Sequence, residues 1–159
     1  MKPAVPLAIR MATTDDNDFI FSLLPRLIES GLPDCRDEVE VLETNKKILN
    51  YRLTSGMPGT IIFIAEDNDK KPLGFIHVHG GSDYYYKLQH ANIAELIVHP
   101  DVAGSGVGTA LMAKAEAWAA TQGFRWLTLS VFTQNKKARQ LYKKLGYGED
   151  LIKYVKELK

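Results

Sequence analysis

The stretch "AGSGVGT", residues 103–109, alternates glycine with small side chains between an apolar segment and a helix-like one. A strand that feeds such a turn into a helix outlines an anion site. The first N–H groups of the helix have no partner, its dipole is positive there, and glycine lets an anion approach the backbone. The same residues also suit a tight turn that packs a helix against a strand. Further along, at about 100° per residue, Ala138, Arg139 and Tyr142 fall within about 60° of Asn135 on one helix face. A small residue between polar ones leaves a groove for a slender ligand, with Asn135 placed to bond amides and Tyr142 at the far end. Asn135 reads equally as an N-cap, and Tyr142 as a ring at the core's edge with its hydroxyl in water. Glu95 stands inside the apolar run "ANIAELIVHP". A carboxylate there is costly to bury without a partner, and such a group suits general-base work, directly or through water. Alternation leaves open whether it serves so or is a solvent-facing or strand-paired Glu.

Other chemistries fit less well. The glycine turn lacks the Lys of the P-loop pattern, and Thr109 stands where the dinucleotide fingerprint needs Gly or Ala. His77 and His79 share a strand face, a spacing that metals use, but two ligands do not complete a site; a surface or acceptor-pocket pair is expected and no metal. Cys35 is the single cysteine, so neither an intramolecular disulfide nor a cysteine metal cluster can form, and cytoplasm is the expected compartment. A net charge of +1 sets up no strong field, so neither nucleic acid nor a membrane is expected as partner. No run approaches the roughly 20 apolar residues of a membrane span. The opening "MKPAVPLAIRM" is broken by prolines and lacks the features of a secretory leader.

These residues need elements to hold them. "PLAIRMA" reads as a strand and "NDFIFSLLPRLIESG" as a helix divided at Pro25, followed by a second helix in "DEVEVLETNKKILNYRLTSG". "GTIIFIAED" and "LGFIHVHG" form a hairpin about "DNDKKP", and "ANIAELIVHP" is the next strand. A helix from about Gly104 to Thr121 follows, with Leu111, Met112, Ala115 and Trp118 as its buried stripe. "FRWLTLSVF" is a strand, "NKKARQLYKKLG" a helix, and "YGEDLIKYVKEL" a returning strand. The order βααβββαβαβ describes an α/β fold: a mixed, largely antiparallel sheet flanked by helices, with one parallel pair made by the strand–helix–strand crossover. With 45% hydrophobic and 25% charged residues, a single domain over residues 1–159 is expected. Tyr84, Tyr85 and Tyr86 with Asp83 form either a wall for a cationic amine or an ordinary loop, and the acid of "DCRDEVEVLE" either adds to it or is a solvated helix face.

The stretches "VHPDVAGSGVGTAL" and "NKKARQLYKKLGY", in this order and about one crossover apart, resemble the two motifs of the GCN5-related N-acetyltransferase superfamily. The likeness covers residues 60 to 150 well and the first 58 only in element order. Ala103 stands where that family often carries Arg or Gln, but its backbone N–H is kept. The resemblance implies acetyl-CoA as co-substrate, held by Ile97, Val98, Ala103, Gly104, Ser105, Gly106, Val107, Gly108, Thr109, Asn135, Ala138 and Tyr142. It implies Tyr142 as the acid that protonates the departing thiolate, which suits a hydroxyl of reference pKa about 10, and it supports Glu95 as the base. The expected activity is direct acetyl transfer to an amine, of a small molecule or a protein. Two alternatives stay open: a non-catalytic acyl-CoA-binding or regulatory module, and an interaction domain with an empty groove. A homodimer formed through an edge strand at the C-terminus is also left open.

Overall fold

The computed structural model describes residues 6–82 and 89–158. Strand β1 (Ala8–Met11) leads through a short 3₁₀ turn into helix α1 (Asn17–Leu23), and a second 3₁₀ turn carries Pro25. Proline has no N–H to continue the helix, so the divided first helix forms as its sequence dictates. Helix α2 (Glu38–Ser55) starts at Asp37, whose carboxylate accepts the Glu40 N–H at 2.8 Å. The acids of this segment therefore lie in and beside a helix's first turn, where the dipole favours them.

Strands β2 (Thr60–Glu66), β3 (Pro72–Gly81) and β4 (His90–Val98) follow, then helix α3 (Val107–Thr121), strand β5 (Leu127–Leu129) and helix α4 (Lys136–Lys144). The sheet runs β1-β2-β3-β4-β5, antiparallel throughout except for the parallel pair β4–β5. On one face Ile76, Val78, Ala91 and Ile93 bury against Val107, Leu111, Met112 and Ala115 of α3. On the other, Ile62, Ile64, Phe75 and Ile97 bury against Ile20, Leu23, Leu24 and Leu49 of α1, its following turn and α2. Trp118 lies half-buried at the edge of the first cluster, 6.2 Å from the Phe124 ring, rather than inside it.

Two local features shape the middle of the sheet. His77 pairs with Glu95 and Val78 with Ile93, so Ala94 is an extra residue in β4, a β-bulge. The β4–β5 ladder covers only Ala91–Ile93 against Leu127–Leu129. From Ala94 to Val98, β4 therefore borders an opening on its β5 side.

The structure departs from the sequence reading at three places. Helix α3 begins at Val107, because Gly104 (φ +83°) and Gly106 (φ +92°) are left-handed and an α-helix cannot include them. Strand β5 is three residues long rather than spanning "FRWLTLSVF". The returning strand does not form: residues 148–158 have no regular structure and are exposed, because they make no ladder with β5. The tyrosine loop with Asp83 lies outside the described residues. Among the described residues, no helix is long and apolar enough to cross a membrane.

Candidate functional site

The glycine turn is built from its own backbone. Ser105 donates both its N–H and its hydroxyl to the Val102 carbonyl, at 3.1 and 2.6 Å, so its side chain does not cap α3. The first helical bond runs from Ala110 N–H to the Gly106 carbonyl. The N–H groups of Val107, Gly108 and Thr109 have no place in the ladder, which leaves the positive end of α3 open to an anion. A methyl placed at Gly108 would meet Val98 Cγ2 at 3.6 Å and Leu141 Cδ2 at 3.8 Å. The turn, the end of β4 and helix α4 thus converge on one residue, and the two sequence motifs meet beside the β4–β5 opening. Ile97 is buried toward α1 and α2, whereas Val98 packs on the α3 face.

On α4, the Asn135 side-chain oxygen accepts the Ala138 N–H at 3.1 Å, the N-cap its sequence position suggested. Its Nδ2 has no partner among the described residues. Tyr142 packs against the α3-side core, 6.1 Å from the Tyr147 ring. Burial pushes the Tyr142 hydroxyl above the usual phenol range, so it is held as a proton donor. Tyr147 donates to the Glu116 carboxylate at 3.0 Å and is shifted in the same direction, by burial first and that carboxylate second. Arg139 faces out and pairs with Glu149 at 2.9 Å.

Glu95 points to the opposite face, with α1 and α2. It is 4% exposed and its Oε2 lies 2.6 Å from Nδ1 of the fully buried His77. The other His77 nitrogen is 3.1 Å from the Thr60 hydroxyl. His77 is therefore a buried partner of Glu95, not a surface residue. Beside it, His79 donates from Nδ1 to the Gly80 carbonyl at 2.9 Å, which leaves Nε2 to accept from Asn92 Nδ2 at 3.3 Å. Asn92 Oδ1 accepts the Thr128 hydroxyl at 3.0 Å, so polar contacts run from β3 to β5. All four histidine ring nitrogens are engaged, and no group of three metal-binding side chains occurs among the described residues. Two clefts open next to this cluster. One, of about 240 Å³, is lined by Thr60 with Arg52 and Met57; the other, of about 320 Å³, is lined by Gly80, Gly81 and Phe124.

Thr60, Asn92 and Thr128 did not stand out in the sequence. Strict alternation puts residues 92 and 95 on opposite faces; the Ala94 bulge brings them to the same one.

Over 158 aligned positions the chain is 28% identical to an aminoalkylphosphonate N-acetyltransferase of Salmonella typhimurium (strain LT2), covering 94% of this chain and 90% of that one. Over 88 positions it is 40% identical to an uncharacterized N-acetyltransferase of Methanocaldococcus jannaschii, covering 55% of this chain but only 38% of that relative. In fold, it matches a putative acetyl transferase from Pyrococcus furiosus with a TM-score of 0.76 at 23% identity, over 96% of this chain and 99% of that one. The aminoglycoside N-acetyltransferase AAC(6')-Iy, solved in complex with CoA, matches with a TM-score of 0.70 at 19% identity, over 99% of both chains. The model of the acetyltransferase (GNAT) family matches residues 26–147. The chain belongs to the GNAT family of acetyltransferases.

Proposed function

We propose that this chain, acting as one domain, transfers the acetyl group of acetyl-CoA directly to an amine. The observation that carries this reading is the convergence at Gly108. Gly108, in the first turn of α3, lies against Val98 at the unladdered end of β4 and Leu141 of α4, the helix that carries Asn135 and Tyr142. The N–H groups of Gly106, Val107, Gly108 and Thr109 hold the pyrophosphate, whereas those of Ala103 and Ser105 are engaged by the Pro100 and Val102 carbonyls and Ala103 adds no side-chain contact. The pantetheine arm lies along Ile97 and Val98, opposite Ala138, and Asn135 Nδ2 donates to its amides. Groups that bind CoA in this way fit the co-substrate without a metal.

The amine reaches the thioester from the α1–α2 side, where Glu95 and the cleft lined by Thr60 and Arg52 lie. Glu95 takes the proton of the ammonium form, directly or through water, and the neutral nitrogen attacks the thioester carbonyl. The C–S bond then breaks with its electron pair on sulfur, Tyr142 protonates the thiolate, and the remaining proton shed by the acetylated nitrogen passes through water to the Tyr142 phenolate, which leaves a neutral amide and restores the acid. Glu95 on the α1–α2 face and Tyr142 on the α3 face flank the sheet where β4 has left its ladder with β5, an arrangement that suits these two roles. The acceptor class is an amine; an aminoalkylphosphonate is one candidate, since a relative of that name aligns over most of the chain.

The test is a panel of amines, aminoalkylphosphonates included, read by release of the free CoA thiol, with calorimetry of CoA alone. Turnover of an amine together with CoA binding is expected. Tight CoA binding with no turnover on any amine would return the chain to a binding module, and no CoA binding would remove the whole reading.

A further inference from the structure

Arg10, Arg26 and Arg139 are each engaged by carboxylates: Arg10 by Asp16 and Glu66, Arg26 by Glu29, and Arg139 by Glu149. Arg52, in the last turn of α2, is different. It is half-buried, and its guanidinium has no acidic partner among the described residues. Its Nη1 donates to the Met57 sulfur at 2.8 Å. A thioether is a weak acceptor, so a fork of donors that fits a planar anion stands almost unused.

The surroundings of Arg52 separate it from a cation that merely ends a helix. The C-terminus of α2 favours positive charge, and an arginine on the open surface there needs only water. Arg52 instead lines the cleft of about 240 Å³, where Met11, Leu53, Ile61 and Ile62 form apolar walls and Thr60 is the one other polar side chain. A cation against apolar walls is screened less than one in open water and attracts an anion more strongly. The cleft also leads to the proposed base. Thr60 Oγ1 lies 3.1 Å from His77 Nε2, and His77 Nδ1 lies 2.6 Å from Glu95 Oε2. This side of the sheet thus offers a cation at Arg52 and, past Thr60, a carboxylate at Glu95. The first calls for an anion and the second for an ammonium.

We infer that the acceptor is an amine that also carries an anionic group, a carboxylate or a phosphonate, and that Arg52 is the residue that reads it. The inference rests on the proposed acetyl transfer to an amine. The anion takes a forked pair of charge-assisted hydrogen bonds from Arg52 and displaces the Met57 sulfur, whose flexible side chain turns aside. The aliphatic spacer lies on Leu53, Ile61 and Ile62, and the amine is directed past Thr60 toward Glu95. The α2 dipole opposes an anion here by only about 2–5-fold, against about 10–100-fold for a hydrogen bond to a charged group. Arg52 touches the acceptor away from the reacting atoms, so it acts on KM and selectivity and takes no part in proton transfer.

The test compares aminoalkyl carboxylates, aminoalkyl phosphonates and neutral amino alcohols of matched chain length. Each is assayed by release of the CoA thiol and titrated calorimetrically into the CoA-loaded chain. Expected in the parent is a kcat/KM about tenfold or more higher for an anionic amine than for its neutral match, carried by KM. In Arg52→Gln that preference should largely disappear, with the melting temperature of the parent. Arg52→Lys, which keeps the charge but not the fork, should retain part of it. The carboxylate and phosphonate arms show which anion the cleft takes. Should Arg52→Gln fail to fold, Arg52→Lys against the parent gives the comparison. A parent that acetylates amino alcohols as well as either anion, or a preference that survives in Arg52→Gln, overturns the inference and leaves acetyl transfer standing. Should no amine turn over, acetyl transfer fails, and the calorimetry decides for Arg52: binding of an anionic amine that is lost in Arg52→Gln upholds its role, and the absence of such binding overturns it.

Discussion

His77 Nδ1 sits 2.6 Å from Glu95 Oε2 across the β3–β4 ladder, and both side chains are almost completely shielded from water. In this setting each group is the other's main polar partner, with Thr60 on the far side of the imidazole. Removing one member leaves the other buried and unpaired. His77→Leu should therefore destabilise the protein by about 3–5 kcal/mol, the usual cost of breaking a buried pair, whereas His77→Leu with Glu95→Leu should recover most of that loss. Urea unfolding of the single and double variants measures it. Additive losses in the double variant would mean that the pair is not coupled.

Glu95→Gln separates catalysis from folding. The amide keeps the shape and can still accept from His77, so the fold should be kept. As a base it is lost, and kcat should fall by ~10²-fold or more. The KM for acetyl-CoA should barely change, because Glu95 faces α1 and α2 while the glycine turn lies at the start of α3. A parental kcat in this variant would move the role to another residue or to water.

What the sequence made legible was local. Apolar spacing and Pro25 located the helices, and the order of elements implied one parallel pair in an otherwise antiparallel sheet. The glycine turn and the Asn135–Tyr142 face could be read because their geometry is set by neighbours within a few residues. The Glu95–His77 pair could not be, since it depends on register between strands and on a one-residue bulge at Ala94. The C-terminal segment was misread for a related reason. Its alternation is that of a strand, but a strand needs an edge to pair with, and alternation does not say whether one is taken up; here residues 148–158 form no ladder.

Asn135 holds two roles that one substitution can separate. Its Oδ1 caps α4, so Asn135→Ala should cost about 1 kcal/mol of stability as well as CoA affinity. Asn135→Asp keeps the capping oxygen and adds a charge favoured at a helix N-terminus, but removes the Nδ2 donor. That variant should melt no lower than the parent and bind CoA roughly tenfold more weakly, the size of one lost hydrogen bond. Thermal melts with calorimetry decide it. Unchanged CoA affinity in Asn135→Asp would leave Asn135 as a cap alone.

The glycine turn calls for a pair of substitutions, because Gly106 is left-handed at φ +92°. Any L side chain there is strained, so Gly106→Val should lose roughly 1–2 kcal/mol before any ligand is considered. Gly108 has no such constraint, and a methyl there makes ordinary contacts with Val98 and Leu141. Gly108→Ala should therefore keep or raise the melting temperature, while crowding the N–H groups at the start of α3 and weakening CoA by tenfold or more. Parental CoA binding in a folded Gly108→Ala protein would show that the ligand does not approach the backbone here.

Tyr142 offers the sharpest test of mechanism, because burial raises its pKa above the ordinary phenol value of 10.0. The hydroxyl then stays protonated across the neutral range and can act as an acid throughout it. Tyr142→Phe keeps the ring that packs on the α3-side core and removes only the proton. Folding and CoA affinity should stay near the parent, and kcat should fall by ~10–10³-fold. A thioester with a more acidic thiol should recover part of the loss, since its leaving group needs the proton less. The same shift has a consequence for stability. Above pH 10 the unfolded chain releases the Tyr142 proton while the folded chain retains it, so stability falls as pH rises from the unfolded pKa through the folded one. Below pH 10 both states are protonated and the group contributes no pH dependence. Unfolding free energies from pH 8 to 11 should therefore decline less steeply in Tyr142→Phe than in the parent. Parental kcat with acetyl-CoA, together with a parental alkaline slope, would return Tyr142 to a packing role and leave the departing thiolate without a named acid.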